Sequence, residues 1–366
     1  MRLRLAVLAA CGLLALTGCV PISRSEGPAA PPAGWREILG SPLGPRTSAL
    51  GLWTGREVLL IGGSDEPACP PNADCAPDPT PLSDGAAVDP GTGHWRRIAD
   101  APVPVLGGDG VVVGGTAYIL TRSAGLLAYR VEQDRWQRLP IPFANAGGYR
   151  LAGAGDRLVA YAGTHEHGMA KDYWLGPSNT WQSLPAAPLG AGFDRTMVGA
   201  GRQLVLFDHE LVPNPGAERP AVTRAAVYDW TTASWRRLPD SAMLSTYPWL
   251  FSDGSLINPM LGGADGGQVG NWGRTYPNGG TLDPVSARWS ALPPAPPGTT
   301  GSAGVYDTTG AVYVNVTGAV LDADHGRWLT LPPPPDGDVL GRTIVAAGAD
   351  LLVFGGGASD TWVWTP

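Results

Sequence analysis

Residues 351–366, LLVFGGGASDTWVWTP, and residues 34–44, GWREILGSPLG, decide the fold when they are read together. The first stretch is an apolar run closing on glycines, a short loop, and one aromatic run. In the units before it, the aromatic run turns and is followed by one more run carrying Trp; here the chain stops. The second stretch is a Trp-bearing run with nothing upstream to pair with. Each half lacks what the other has.

The repeat that makes this comparison possible is anchored on tryptophan. Six segments align on a late Trp: AAVDPGTGHWRRI at Trp95, LLAYRVEQDRWQRLP at Trp136, DYWLGPSNTWQSLP at Trp181, AAVYDWTTASWRRLP at Trp235, GGTLDPVSARWSALP at Trp289 and GAVLDADHGRWLTLP at Trp328. Their spacings are 41, 45, 54, 54 and 39 residues, the range of a repeated supersecondary unit. Each reads as strand, turn, strand. Asp89, Asp229, Asp283 and Asp322 sit six residues before their Trp, where a carboxylate can bond the turn backbone. An apolar run lies upstream in every unit (EVLLIGG, TAYIL, RLVAYAG, QLVLFD, SLINPM, VYVNV, LLVFGGG), and before it a run of small residues such as TMVGAG or TIVAAG. Small residues belong where strands crowd together. A Trp recurring once per unit is expected in the core between units, not at a ligand.

Four antiparallel strands per unit describe the blade of a β-propeller. The apolar strand, Gly-Gly pair, aromatic and spaced Trp resemble the kelch repeat, although full Gly-Gly pairs in the expected place occur only at Gly62-Gly63 and Gly355-Gly356. The expectation is an all-β, seven-bladed propeller over residues 34–366, its last blade completed by the N-terminal strand with Trp35 in the repeated slot. Six blades is the alternative, if YPWLFSDGSLINPM is misread as a unit.

Composition agrees. Fifty-two Gly and 37 Pro leave little room for long helices, while 43% hydrophobic residues and 14 Trp supply a core. A net charge of −7 argues against a nucleic acid as partner; Lys171 is the only lysine, and Arg supplies nearly all the positive charge. At the N-terminus, Arg2 and Arg4 precede an apolar stretch, Leu5–Leu16, too short to span a bilayer. It ends in Leu16-Thr17-Gly18-Cys19, which is similar to the lipobox of bacterial lipoproteins. The resemblance implies a leader over residues 1–18, cleavage before Cys19, acylation of that residue, and attachment to the extracytoplasmic side of the cell membrane. An ordinary cleaved signal with a chance cysteine is the competing reading. Residues 19–33 read as a Pro/Ala-rich tether. Cys69 and Cys75, in ACPPNADC, are expected to form a local disulfide outside the cytoplasm, with a two-cysteine metal site as the weaker option.

The loops between second and third strands are long in units one, three, four and five, and all fall on one rim. The same face receives the starts of the innermost strands, and with them Arg46, Arg150, Arg195 and Arg342. Two or more converging guanidiniums would bind a carboxylate or phosphate. The competing reading pairs each with a carboxylate such as Asp109 or Asp194. Trp272, off the repeat and in a Gly-rich rim loop, is a candidate ligand contact. His165 and His167, in GTHEHG, are weak metal candidates without a third ligand at recognisable spacing. The kelch group includes the copper enzyme galactose oxidase, whose cross-linked Cys and Tyr and paired His have no counterpart here. No catalytic residue, resident metal or cofactor is assigned. The expected function is a monomeric, surface-anchored recognition propeller for a protein, peptide or glycan. The alternative is a carbohydrate-active enzyme of mutarotase, epimerase or oxidase type using an arginine-lined channel.

Overall fold

Every strand pairs antiparallel with its neighbour, and the strands sort into four-stranded sheets. The computed structural model describes residues 34–70, 73–75, 80–166, 171–176, 178–212, 221–244, 250–252, 254–258, 279–294, 296, 304–306, 313–316, 319–322, 326–337 and 341–366. The expected leader and tether with Cys19, together with His167, Trp272 and the long loop of the fifth unit, lie outside the described residues.

Among the described residues there are seven such sheets. The first is Leu50–Trp53, Val58–Ile61, Gly85–Val88 and Trp95–Ile98. The second is Asp109–Val113, Thr116–Thr121, Gly125–Arg130 and Arg135–Leu139. The third is Tyr149–Ala154, Arg157–Ala162, Tyr173–Leu175 and Trp181–Ser183. The fourth is Gly192–Ala200, Gln203–Glu210, Thr223–Asp229 and Ser234–Arg237. The fifth, from the weakest sequence unit, is Leu250–Ser252, Ser255–Asn258, Gly280–Asp283 and Arg288–Ala291. The sixth is Gly304–Tyr306, Tyr313–Val316, Ala319–Asp322 and Arg327–Thr330. The seventh is Arg342–Ala347, Asp350–Gly355 and Thr361–Thr365, and its fourth strand comes from the other end of the chain. Gly34–Glu37 pairs with it in register, Trp35 opposite Trp364 and Glu37 opposite Trp362.

The sheets bury both faces. In the second strand of the first sheet, Val58 and Leu60 pack toward the seventh sheet, onto Leu352 and Phe354, while Leu59 and Ile61 pack toward the second, onto Ile119 and Leu127. Period-two alternation therefore sends apolar side chains into two different cores, which is why these runs read as continuously hydrophobic. The leading strands neighbour one another in a row that runs sixth, seventh, first, second, third, fourth, fifth. They approach so closely that glycine is obligatory at some points. A Cβ on Gly199 of the fourth sheet would collide with the carbonyl oxygen of Gly153 in the third.

The repeated tryptophans join sheet to sheet. Trp136, Trp181, Trp235, Trp289 and Trp328 each donate Nε1–H to a carbonyl just after the fourth strand of the preceding sheet: Ala99 (2.7 Å), Pro140 (2.7 Å), Pro185 (2.8 Å), Pro239 (2.9 Å) and Pro293 (3.1 Å). Trp35 does the same to Pro332, at 2.8 Å, although it sits 297 residues away in sequence. The expected aspartate turns are present too. Asp89 accepts from Gly91 N and Thr92 N, Asp229 from Thr231 N, and Asp283 from Val285 N and Ser286 N. The turn after Asp322 lies outside the described residues.

One expected loop is shorter than the sequence suggested. HELVPNPGAERPAVTR reads as loop throughout, yet His209-Glu210 continue the second strand of the fourth sheet and Thr223-Arg224 open its third. Polar residues extend these strands because two of them, Asp208 and Arg224, face each other in register and neutralise one another.

If Trp35 occupies the same slot as the internal tryptophans, Trp35→Ala and Trp289→Ala should destabilise alike. The expected cost is about 2–4 kcal/mol each, from lost packing and one lost hydrogen bond. Denaturant midpoints read by tryptophan fluorescence check this, and an unchanged midpoint for Trp35→Ala alone would contradict the pairing.

Candidate functional site

Leading strands start, and second strands end, on one face of the sheets, and the four arginines singled out from sequence all lie there. Three of them are committed to carboxylates. Arg46 donates to both oxygens of Asp84 (2.8 and 3.0 Å) and to Gly62 O. Arg195 holds Asp172 through two bonds (3.0 and 2.7 Å) and also reaches Ala162 O, tying the fourth sheet to the third. Arg342 pairs with Asp336 and donates to Gly337 O and Gly355 O. Asp84, Asp172 and Asp336 are the partners, in place of the Asp109 and Asp194 suggested by the sequence. Arg46 and Arg342 flank one segment, since Gly356 N and Gly357 N donate to Arg46 O. Arg150 and Arg195 line another place together.

A fifth arginine, Arg224, escaped notice. It makes a two-bond pair with Asp208 (2.8 and 2.7 Å), which is fully buried. The signal was available: an Asp at the end of the apolar run QLVLFD must be either exposed or partnered. Burial raises the Asp208 carboxyl pKa, with Arg224 pulling against it. For half-exposed Asp84 the balance falls the other way, and the Arg46 hydrogen bonds hold its pKa below the usual value. Removing one partner of a dry ion pair costs about 3–5 kcal/mol because the survivor stays charged and buried. Arg46, Arg195 and Arg224 thus join backbone segments and sheets to one another.

Arg150 differs. Its residue is exposed, and its side chain makes no hydrogen bond or ion pair among the described residues. It stands between two adjoining clefts. One, of about 610 Å³, is lined by Pro81, Leu106, Asp109, Leu120, Arg122 and Tyr149 among others. The second, of about 560 Å³, is lined by Tyr161, Gly163, Glu166, Phe193, Asp194 and Arg195 among others. Arg150 and Gly147 belong to both.

The wall of the second cleft is irregular where the chemistry concentrates. The leading strand of the fourth sheet shifts register between Phe193 and Thr196, and Asp194 there has φ +48°. Such bulges re-aim side chains. Here the bulge turns the exposed Asp194 carboxylate into the cleft, 3.6 Å from Nδ1 of buried His209. His209 donates Nε2–H to Leu244 O (3.1 Å), so that nitrogen carries the proton. His165 sits nearby with its Nδ1 buried and unpartnered, and burial beside Arg195 and Arg224 lowers its pKa. Among the described residues no group of three His, Cys, Asp or Glu is placed to hold a metal ion. Cys69 and Cys75 form the expected disulfide, within the second-to-third-strand loop of the first sheet.

Asp109 opens the second sheet's leading strand and accepts a hydrogen bond from Leu151 N of the third sheet. Burial pushes its carboxyl pKa up to about 6, against the pull of the Leu151 bond and of nearby Arg150. No protein-family model matches the chain, and no curated protein matches it.

The folded chain therefore binds the Asp109 proton more tightly than the unfolded chain. The resulting stability is fully present below the ordinary carboxylate pKa and is lost as pH rises through about 6. Asp109→Asn should remove this dependence. Between pH 4 and pH 7 the wild type is expected to lose roughly 2–3 kcal/mol more than the variant. Denaturant titrations of both proteins at several pH values measure that difference.

Proposed function

We propose that this chain is a lipid-anchored, kelch-type β-propeller of seven blades that recognises a ligand on the face bearing its second-to-third-strand loops. Support for the ring comes from the seams. Tryptophan bonds link the first sheet to the second and so on through the sixth to the seventh. The remaining seam, seventh to first, carries Thr343 Oγ1–H to Ala49 O (2.7 Å), Ser48 N–H to Gly341 O (2.9 Å) and a shared apolar core. We read seven blades linked at seven seams as a closed disc, an arrangement that leaves only short, protected strand edges.

The observation that carries the functional reading is the pair of adjoining clefts meeting at an uncommitted Arg150. Their volumes suit a small ligand or one segment of a larger one. The alternative, an enzyme with an arginine-lined channel, is weakened because Arg46, Arg195 and Arg342 already hold carboxylates. The anchor rests on the Leu16–Cys19 sequence.

Two measurements test these readings. In the native host or a bacterial expression strain, Cys19→Ser should move the protein from the membrane fraction to the soluble fraction; retention in the membrane would refute lipid attachment. For the binding face, the full chain is screened by thermal shift against neutral sugars, sugar acids, dipeptides and peptidoglycan fragments. At least one class should raise the melting temperature in proportion to the logarithm of its concentration. Mass spectrometry should then return that compound unchanged. Conversion of the bound compound would favour the enzyme, and no shift by any class would overturn recognition of such ligands.

A further inference from the structure

We propose that the cleft between the third and fourth sheets is a carboxylate-binding subsite. In it Arg150 grips a monoanionic ligand, and Asp194 and Glu166 engage hydrogen-bond donors on the same molecule. This rests on the recognition face inferred above and names the ligand chemistry that face selects.

The first support is the state of the arginines. Arg46, Arg195, Arg224 and Arg342 all hold carboxylates of the chain itself. Arg150 lines two clefts and, among the described residues, holds none. A planar guanidinium without a partner at the wall of a cleft matches a carboxylate through two parallel hydrogen bonds.

The space beside it is the second support. Arg150 Nε lies 4.0 Å from where a Cβ on Gly163 would be, and the nearest other atom, Gly148 O, is 3.8 Å away. Those are ordinary contacts, and Gly163 does not sit at positive φ. Neither backbone conformation nor crowding requires glycine at this position. What glycine does there is leave the flank of the guanidinium open.

A third support comes from a donor already dry. Arg195 is 3% exposed and lines the same cleft. Its two terminal nitrogens are taken by Asp172 and Ala162 O, but its Nε is buried without an acceptor. A buried N–H left unpaired costs about 1–3 kcal/mol, and a ligand oxygen would remove that cost.

Two acidic side chains lining the cleft set the selectivity. Asp194, its side chain 48% exposed, and Glu166 are both acidic. Two carboxylates beside one free guanidinium repel a dianion such as phosphate, yet attract hydroxyl or ammonium donors. Phe193, Met197 and Val198 supply apolar surface for a carbon skeleton. A monoanion with its own donors fits this set, and such chemistry comes from a sugar acid or from the terminus of a peptide.

Isothermal titration of the full chain separates these sources, using glucuronate, glycylglycine, glucose and inorganic phosphate. At least one of glucuronate and glycylglycine should bind, and the one that does identifies the source. Glucose and phosphate should bind at least tenfold more weakly. Arg150→Gln and Gly163→Leu should each weaken the bound probe at least tenfold. Both variants should keep the wild-type circular dichroism and melting temperature, which guards against misfolding. The inference is overturned if neither carboxylate binds, if phosphate binds as well as they do, or if both variants bind like wild type. Should a compound from the broader thermal-shift screen stabilise wild type and Arg150→Gln equally, recognition stands and this subsite alone fails.

Discussion

The structure depends on an indole placed once per sheet so that its ring packs into the core between neighbours while its N–H reaches the preceding sheet. A single four-stranded sheet of this chain buries apolar side chains on both faces, so it has no solvent face of its own and is unstable alone. Tryptophan suits the seam because it combines a large apolar body with one donor that must be satisfied. The acceptors are carbonyls that follow the last strand of the neighbour, five of six at proline. Proline there ends the strand, so its carbonyl is free of the ladder and available to the indole.

The seam between the seventh and first sheets shows what happens where the pattern lapses. Trp95 packs against Phe354 at 6.2 Å between ring centres, yet its Nε1 is buried without a partner. Here arginines take over. Arg36 donates to Pro90 O, and Arg97 donates to Pro42 O at 2.6 Å. This is also the seam beside the strand borrowed from the chain's other end, so it joins residues far apart in sequence. Long-range closure of that kind is the slow part of folding an all-β chain. Several independent polar bonds at the seam hold it once it has formed.

Much of this was legible in the sequence, because the seven units, the tryptophan slot, the aspartate turns and the role of Trp35 all follow from local pattern and period. The pairing of charges was not. Arg46 meets Asp84, 38 residues away, and Arg195 meets Asp172, 23 residues away, and neither distance is encoded in any local motif. Asp109 was a reasonable partner for an arginine by position, but the structure spends it on Leu151 N across a seam. The extension of the fourth sheet through His209-Glu210 and Thr223-Arg224 was hidden for a related reason. A polar run reads as loop until its partner across the strand is known to neutralise it.

The same distinction governs what this face can bind. A ligand anion seeking the terminal nitrogens of Arg195 or Arg224 must displace a buried carboxylate held by two hydrogen bonds, and it would leave that carboxylate buried and unpaired. Convergence of arginines on one face is therefore poor grounds for an anion site when their partners lie beside them. Availability is the better criterion, and it selects Arg150, whose recruitment breaks no bond within the described chain. The committed arginines still matter to it. Arg195, held by Asp172, ties the fourth sheet to the third beside the cleft that Arg150 lines.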